Sequence, residues 1–345
     1  MDNLPETGEL TESRRGTSKA ARSVLSSVFA FASAFGAAYF FGTGRLGTSA
    51  LMFFAAAFVM TFIFTHQKGL LFSFVPFVLG YSAVLIPGVD RLPALIALSA
   101  VLLFSAAVSV LIIRRAEKFY VFLLSSALFF VVFSGLLLLL LSDSTGSVTV
   151  AAKRISGASK TVIGETIRIA EQNGLSAGAI DTDALSGAVT ALVPAAIMIG
   201  SMISSVIFRT LFGVATRIAG TRELLMTGEF TAPRPFAVIY ILVTLLSSMT
   251  GFIPAPWSYV ILNVDYVMMA IFAVVGIMSL FRSARKRRTG GGIIAILIAA
   301  AVATLFFGGT VASLMISILA PLLSYIGAIR SLKSVKDKGS EDNER

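Results

Sequence analysis

In the stretch ILNVDYVMMA, residues 261–270, a single carboxylate stands among apolar side chains, inside a run that stays apolar from Trp257 to Phe281. An ionised side chain at mid-bilayer costs about 2.5–3.5 kcal/mol on insertion scales, so such residues face a bundle interior or a wet cavity. Two chemistries fit Asp265 in that setting: a protonatable carboxylate, or a hydrogen-bonding group for a polar solute. Asn263 and Tyr266 stand beside it, and Trp257 and Tyr259 mark the headgroup level on that side. The spacing sets Asp265 about two turns below that level, so the three residues are expected to line a substrate site that opens outward. A helix shifted along its axis would instead leave the carboxylate among the headgroups, and the sequence admits both arrangements. Pro194 lies in an earlier apolar run with Gly187, Gly200, Ser201, Ser204 and Ser205. A proline inside a membrane helix frees a backbone carbonyl one turn back, and this helix is expected to form the neighbouring wall of the site.

Other chemistries find no residues. The chain has no cysteine and one histidine, His66, which excludes thiolate metal sites and makes a metal centre or a serine–histidine nucleophile improbable. There is no G-x-x-x-x-G-K-[ST] loop to power transport and no H-E-x-x-H helix. An intramembrane aspartyl protease needs two facing aspartates, and only one lies within an expected span. The residues therefore give no catalytic group, no metal ligand set and no cofactor, and argue against an enzyme.

The elements that must position these residues are set by composition. Of 345 residues 56% are hydrophobic and 13% charged, about half the charged share of a soluble domain, and the mean hydropathy is +0.89. The expected partner is the lipid bilayer, and the expected class is all-α: a polytopic transmembrane helical bundle. Stretches of about 20 apolar residues recur near 23–41, 47–64, 70–88, 92–113, 119–141, 186–208, 236–253, 257–281, 291–307 and 311–329, which gives about ten spans. Alternating them from a cytoplasmic N-terminus puts Arg114, Arg115 and Lys118, Arg209, Arg217 and Arg222, and the Arg282–Arg288 cluster on the inside. That is the bias of the positive-inside rule, so both termini are expected in the cytoplasm. The net charge of +10 is thereby explained by topology, and nucleic acid is not expected as a partner.

The expected organisation is a cytoplasmic tail over 1–22, a first bundle of about five spans over 23–142, an extracytoplasmic segment over 143–185, a second bundle over 186–330 and a tail over 331–345. In the extracytoplasmic segment Val148, Ala151, Ile155, Ala158 and Val162 recur at three- and four-residue steps, which is one face of a helix, and Gly174 is expected to end it. In the first span Ala30, Ala34 and Ala38 form a small-residue face suited to close helix packing, internal or against another membrane subunit.

The order of the second half carries a resemblance. A span ALVPAAIMIGSMISSVIFRTLFGVATRIAG is followed by FTAPRPF, then ILNVDYVMMAIFAVVGIMSLFRSARKRR and LAPLLSYIGAIRSLKSV. Over about 24–335 this is similar to the YybS-like family of bacterial membrane proteins, a domain of unknown function, at Pro194, Pro235, Asn263, Gly276 and Gly327; Asp265 is not among the matching positions. That family resembles the substrate-capture components of energy-coupling-factor transporters, in which a small-residue face on the first helix contacts a coupling subunit. The resemblance implies a bacterial inner-membrane protein that binds or translocates a small solute as a non-ATPase subunit, with Ala30, Ala34 and Ala38 as the partner face. The rival expectation is a membrane scaffold for an envelope or signalling complex, supported by the amphipathic outer segment and the basic inner loops.

Overall fold

The computed structural model describes residues 27–66, 75, 77–141, 147–172, 181–218, 230–254, 256–286 and 318–332. Among them every regular element is a helix. In chain order these are α1 (Ser27–Gly42), α2 (Leu46–His66), α3 (Arg91–Ile113), α4 (Lys118–Leu141), α5 (Val148–Gln172), α6 (Thr182–Ile218), α7 (Arg234–Ser247), α8 (Trp257–Lys286) and α9 (Ile318–Leu332). Single turns of 3-10 helix occupy Tyr81–Leu85 and Thr250–Phe252.

Five of the helices are long and apolar enough to cross a membrane, within α2, α3, α4, α6 and α8. The expectation of ten spans meets shorter elements elsewhere. α7 is an apolar helix of fewer than 18 residues, and the described parts of α1 and α9, each starting where the described residues start, are also apolar over fewer than 18 residues. The 70–88 stretch ends in the 3-10 turn at Tyr81–Leu85 and bends away at Ile86, which is extended. The expected span 291–307, the start of 311–329, Gly174, the tail over 1–22 and the tail over 331–345 beyond Leu332 lie outside the described residues, while Ser331 and Leu332 end α9. α7 shows why hydropathy alone overshoots. The run stays apolar to Ile253, but the helix stops at Ser247 and tightens into a 3-10 turn before Pro254.

The chain forms two compact units. One comprises Met1–Ala116, Val131–Gly146 and Val206–Met226; the other comprises Glu117–Phe130, Ser147–Ser205 and Thr227–Arg345. Helices α4 and α6 therefore each contribute residues to both.

In the first unit small residues let helices approach. Ala30, Ala34, Ala37 and Ala38 have no exposed surface. A Cβ on Gly80 would sit 2.8 Å from Ala34 Cβ, and one on Gly36 would sit 2.9 Å from Met52 Sδ. The Ala30–Ala34–Ala38 face is thus turned inward and its surface is used within the chain. α2 and α3 are joined by Ser105, which donates to the Ala57 carbonyl at 3.3 Å, and Ser109, which donates to the Thr61 carbonyl at 3.4 Å. Phe208 fills the space beside them, edge-on to Phe54, Phe58 and Phe104. Asp90 caps α3 by accepting from the Leu92 amide.

In the second unit α5 runs beside the start of α6. Ser186 donates to the Ser156 carbonyl at 2.9 Å, and Lys160 pairs with Asp183 at 2.6 Å. The periodicity expected for α5 is present, and Ala151 is buried, yet Val148 and Val162 remain exposed. Asp181 caps α6 by accepting from the amides of Asp183 and Ala184. At 37 residues α6 is about 55 Å long, well beyond a hydrocarbon core of about 30 Å, so its charged ends reach past any apolar slab.

The tightest crossing is between α8 and α9. A Cβ on Gly276 would overlap the Leu323 carbonyl oxygen, and a Cβ on Gly327 would overlap the Phe272 carbonyl oxygen. Each glycine accepts the other helix's backbone. Arg330 adds a hydrogen bond to the Ser279 carbonyl at 3.1 Å. Gly276→Ala and Gly327→Ala are each expected to lower the thermal unfolding temperature in detergent, with an overpacking cost of about 1–3 kcal/mol. Gly200→Ala, where an added Cβ meets nothing within 4 Å, is expected to leave it unchanged or raise it.

Candidate functional site

α8 brings Asp265 against the last turn of α7. Thr244 Oγ1 donates to Asp265 Oδ1 at 2.8 Å, and Ser247 Oγ donates to Asp265 Oδ2 at 2.7 Å. The two hydroxyls are three residues apart on α7 and so share a face. Both carboxylate oxygens accept. Asp265 itself is half-buried, and among the described residues no basic side chain lies within ion-pair distance of it. Further along the same faces of α7 and α8, Tyr240 stacks on Phe272 with ring centroids 4.9 Å apart. Its hydroxyl meets Ser324 Oγ on α9 at 2.7 Å; Ser324 donates onward to the Pro321 carbonyl, so the phenol is the donor in that pair.

Asn263 does something different. Its Nδ2 donates to the Ala191 carbonyl at 2.7 Å and to the Tyr259 carbonyl of its own helix at 2.8 Å, and its Oδ1 accepts from the Ala195 amide at 2.9 Å. Ala191 and Ala195 flank Pro194. In an uninterrupted α-helix the amide of 195 and the carbonyl of 191 bond to each other. Proline has no N–H and its ring crowds the preceding turn. The Asn263 carboxamide faces that interrupted turn as a peptide group would, with an acceptor towards the amide and a donor towards the carbonyl. Both of its donor hydrogens are committed to protein, so Asn263 is a strut of the fold.

The structure therefore divides the expected site. Pro194 and Asn263 come together through Ala191 and Ala195. Asp265 joins Thr244 and Ser247 instead, and Tyr266 belongs to neither group and is 40% exposed. The reason is helical geometry: at about 100° per residue, positions 263 and 265 lie about 200° apart and cannot line one wall. Thr244 and Ser247 are the residues that reading the sequence missed. Their signal was the hydroxyl-rich end of an otherwise apolar helix, TLLSSMT, 21 residues before Asp265.

Asn263→Leu is expected to destabilise the protein, at about 1–3 kcal/mol for each backbone group left unpaired. Thermal unfolding of the double variant with Pro194→Ala checks the assignment. With alanine at 194 the helix can close its own hydrogen bonds, so Asn263→Leu should cost less there than in the native background. The chain is matched by no protein-family model, no curated protein and no solved structure, so the functional reading stands on this geometry.

Proposed function

We propose that this protein is a bacterial inner-membrane protein of about ten spans, with cytoplasmic termini, that binds a small polar species at Asp265 from the extracytoplasmic side as a non-ATPase membrane subunit. The observation that carries the reading is a carboxylate held by two hydroxyls between apolar helices with no basic partner among the described residues. A purely structural carboxylate at such a place would be matched by an internal cation, because burying it unpaired is costly. The five helices able to cross a membrane and the basic clusters at 114–118 and 282–288 support the orientation. Lipid and other membrane subunits are the partners that this reading implies.

The scaffold reading keeps one observation in its favour. α5 exposes Val162 and Ile169 along an edge flanked by Arg154 and Arg168, a surface suited to headgroups or an envelope protein.

The site reading is tested with introduced thiols, since the native chain has no cysteine. Ser247→Cys is expected to react with a membrane-impermeant thiol reagent added outside intact cells. Ser279→Cys, at a buried position on α8, is expected to stay unmodified until the protein is denatured. If Ser247→Cys reacts only after denaturation, Asp265 does not open to the outside and the proposal fails.

A further inference from the structure

Charge in this part of the chain does not balance. Residues 235–281 contain no lysine or arginine, and Asp265 is their one acidic residue. Residues 289–329 carry no charged side chain at all. The carboxylate is therefore uncompensated by sequence neighbours, and α8 places it against the wrong end of a helix. α7 terminates at Ser247, and a helix C-terminus carries a partial negative charge that favours cations. Thr244, Ser247 and Ser248 add three hydroxyl oxygens to the same turn. Ser247 and Ser248 both lie within 3.0 Å of the Thr244 carbonyl. A carboxylate, a helix C-terminus and neutral hydroxyls together make a negative, oxygen-lined site with no internal cation among the described residues.

The hydroxyls themselves point the same way. Threonines 61, 65, 161, 166, 190, 210 and 216 all donate to the carbonyl four residues back in their own helices. Thr244 breaks this habit and turns its hydrogen to Asp265. Its oxygen, and that of Ser247, are thereby held at the carboxylate, with the Tyr240 side chain hydrogen-bonded to Thr244 on the same face of α7.

We infer that Asp265, Thr244 and Ser247 bind a sodium ion, which is the species, or a co-transported species, of the site proposed above; the inference rests on that site being open to water. Oxygen-only ligands suit a hard cation, and one carboxylate matches a single positive charge. Calcium and magnesium draw on more carboxylates or on phosphate, and among the described residues no group of three or more His, Asp or Glu occurs. Half-helix C-termini with nearby carbonyl and side-chain oxygens are a physically sound way to hold sodium in a membrane.

The test is thermal unfolding of the purified full chain in detergent at fixed pH, with sodium chloride replacing choline chloride at constant ionic strength. The unfolding temperature is expected to rise with sodium and to saturate. Asp265→Asn, which keeps the shape and removes the charge, should abolish the sodium dependence. Thr244→Val should raise the sodium concentration at half-effect by about tenfold, the size of one lost ligand contact. Indifference to sodium against choline overturns the inference, and so does an undiminished sodium effect in Asp265→Asn. Should Asp265→Asn fail to fold, Thr244→Val decides alone, and an unchanged half-effect concentration sinks the assignment. Sodium-independent unfolding combined with external labelling of Ser247→Cys removes the sodium ion and leaves the open site; absence of labelling removes both.

Discussion

A peptide group in hydrocarbon has no water to bond, so each interruption of a membrane helix must be filled by protein. Pro194 creates such an interruption in α6, and the Asn263 carboxamide fills it from α8. This fixes more than two hydrogen bonds. It sets the axial register and the rotation of α8 against α6 at once, because a donor and an acceptor must meet a carbonyl and an amide in the right order. With Asn263 committed to α6, Asp265 is carried round to the opposite side of α8 and meets α7. The two residues look like one polar cluster in the sequence, but the first is a condition for placing the second.

The same rule explains where the polar side chains of the described helices go. Most serines and threonines fold back onto their own helices, as Thr61 does to Ala57 and Ser126 to Phe122. Such bonds dispose of a hydroxyl without asking anything of a neighbour. The exceptions mark the packing joints: Ser105 and Ser109 reach α2, Ser205 reaches the Phe122 carbonyl, and Tyr240 reaches Ser324. Thr244 is an exception of another kind, because what it reaches is a carboxylate; Ser247 reaches the same carboxylate and the Thr244 carbonyl of its own helix, and among the described residues that carboxylate has no basic partner.

Class and chemistry were legible to different depths. The low charge and the long apolar runs led to an all-helical reading, and five described helices are long and apolar enough to cross a membrane; the three- and four-residue spacing in 148–162 located α5. Pro194 and Asn263 stood out by type, the one because a proline interrupts helix hydrogen bonding, the other because a carboxamide in an apolar run needs partners. Their relation did not, because it depends on which helices become neighbours across 68 residues of chain. Element ends were the least legible. Apolar composition continues through SSMTGFIP, yet α7 stops at Ser247, because hydropathy measures a preference for lipid and says nothing about where backbone hydrogen bonding ends. The separation of Asn263 from Asp265 was readable from the helical period, whereas the pairing of Asp265 with Thr244 required a register that only folding supplies.

α8 is where these constraints meet. Within its unit it touches α6 through Asn263, α7 through Asp265, and α9 through Gly276 lying on the Leu323 carbonyl. The three contacts use two sides of one helix, since positions 265 and 276 lie within about 20° of each other, and three kinds of interaction: a carboxamide in a helix break, a carboxylate under hydroxyls, and bare backbone against backbone. Rotating α8 by one residue, about 100°, would break all three together: the Pro194 turn would lose its filler, a side chain would be driven into α9, and the charge would turn towards lipid. Each outcome is costly in a different currency, so α8 has one tolerable orientation. A half-buried carboxylate is usually an unstable feature of a membrane helix. Here its position is imposed by contacts that do not depend on its charge, as the proposed ligand role requires.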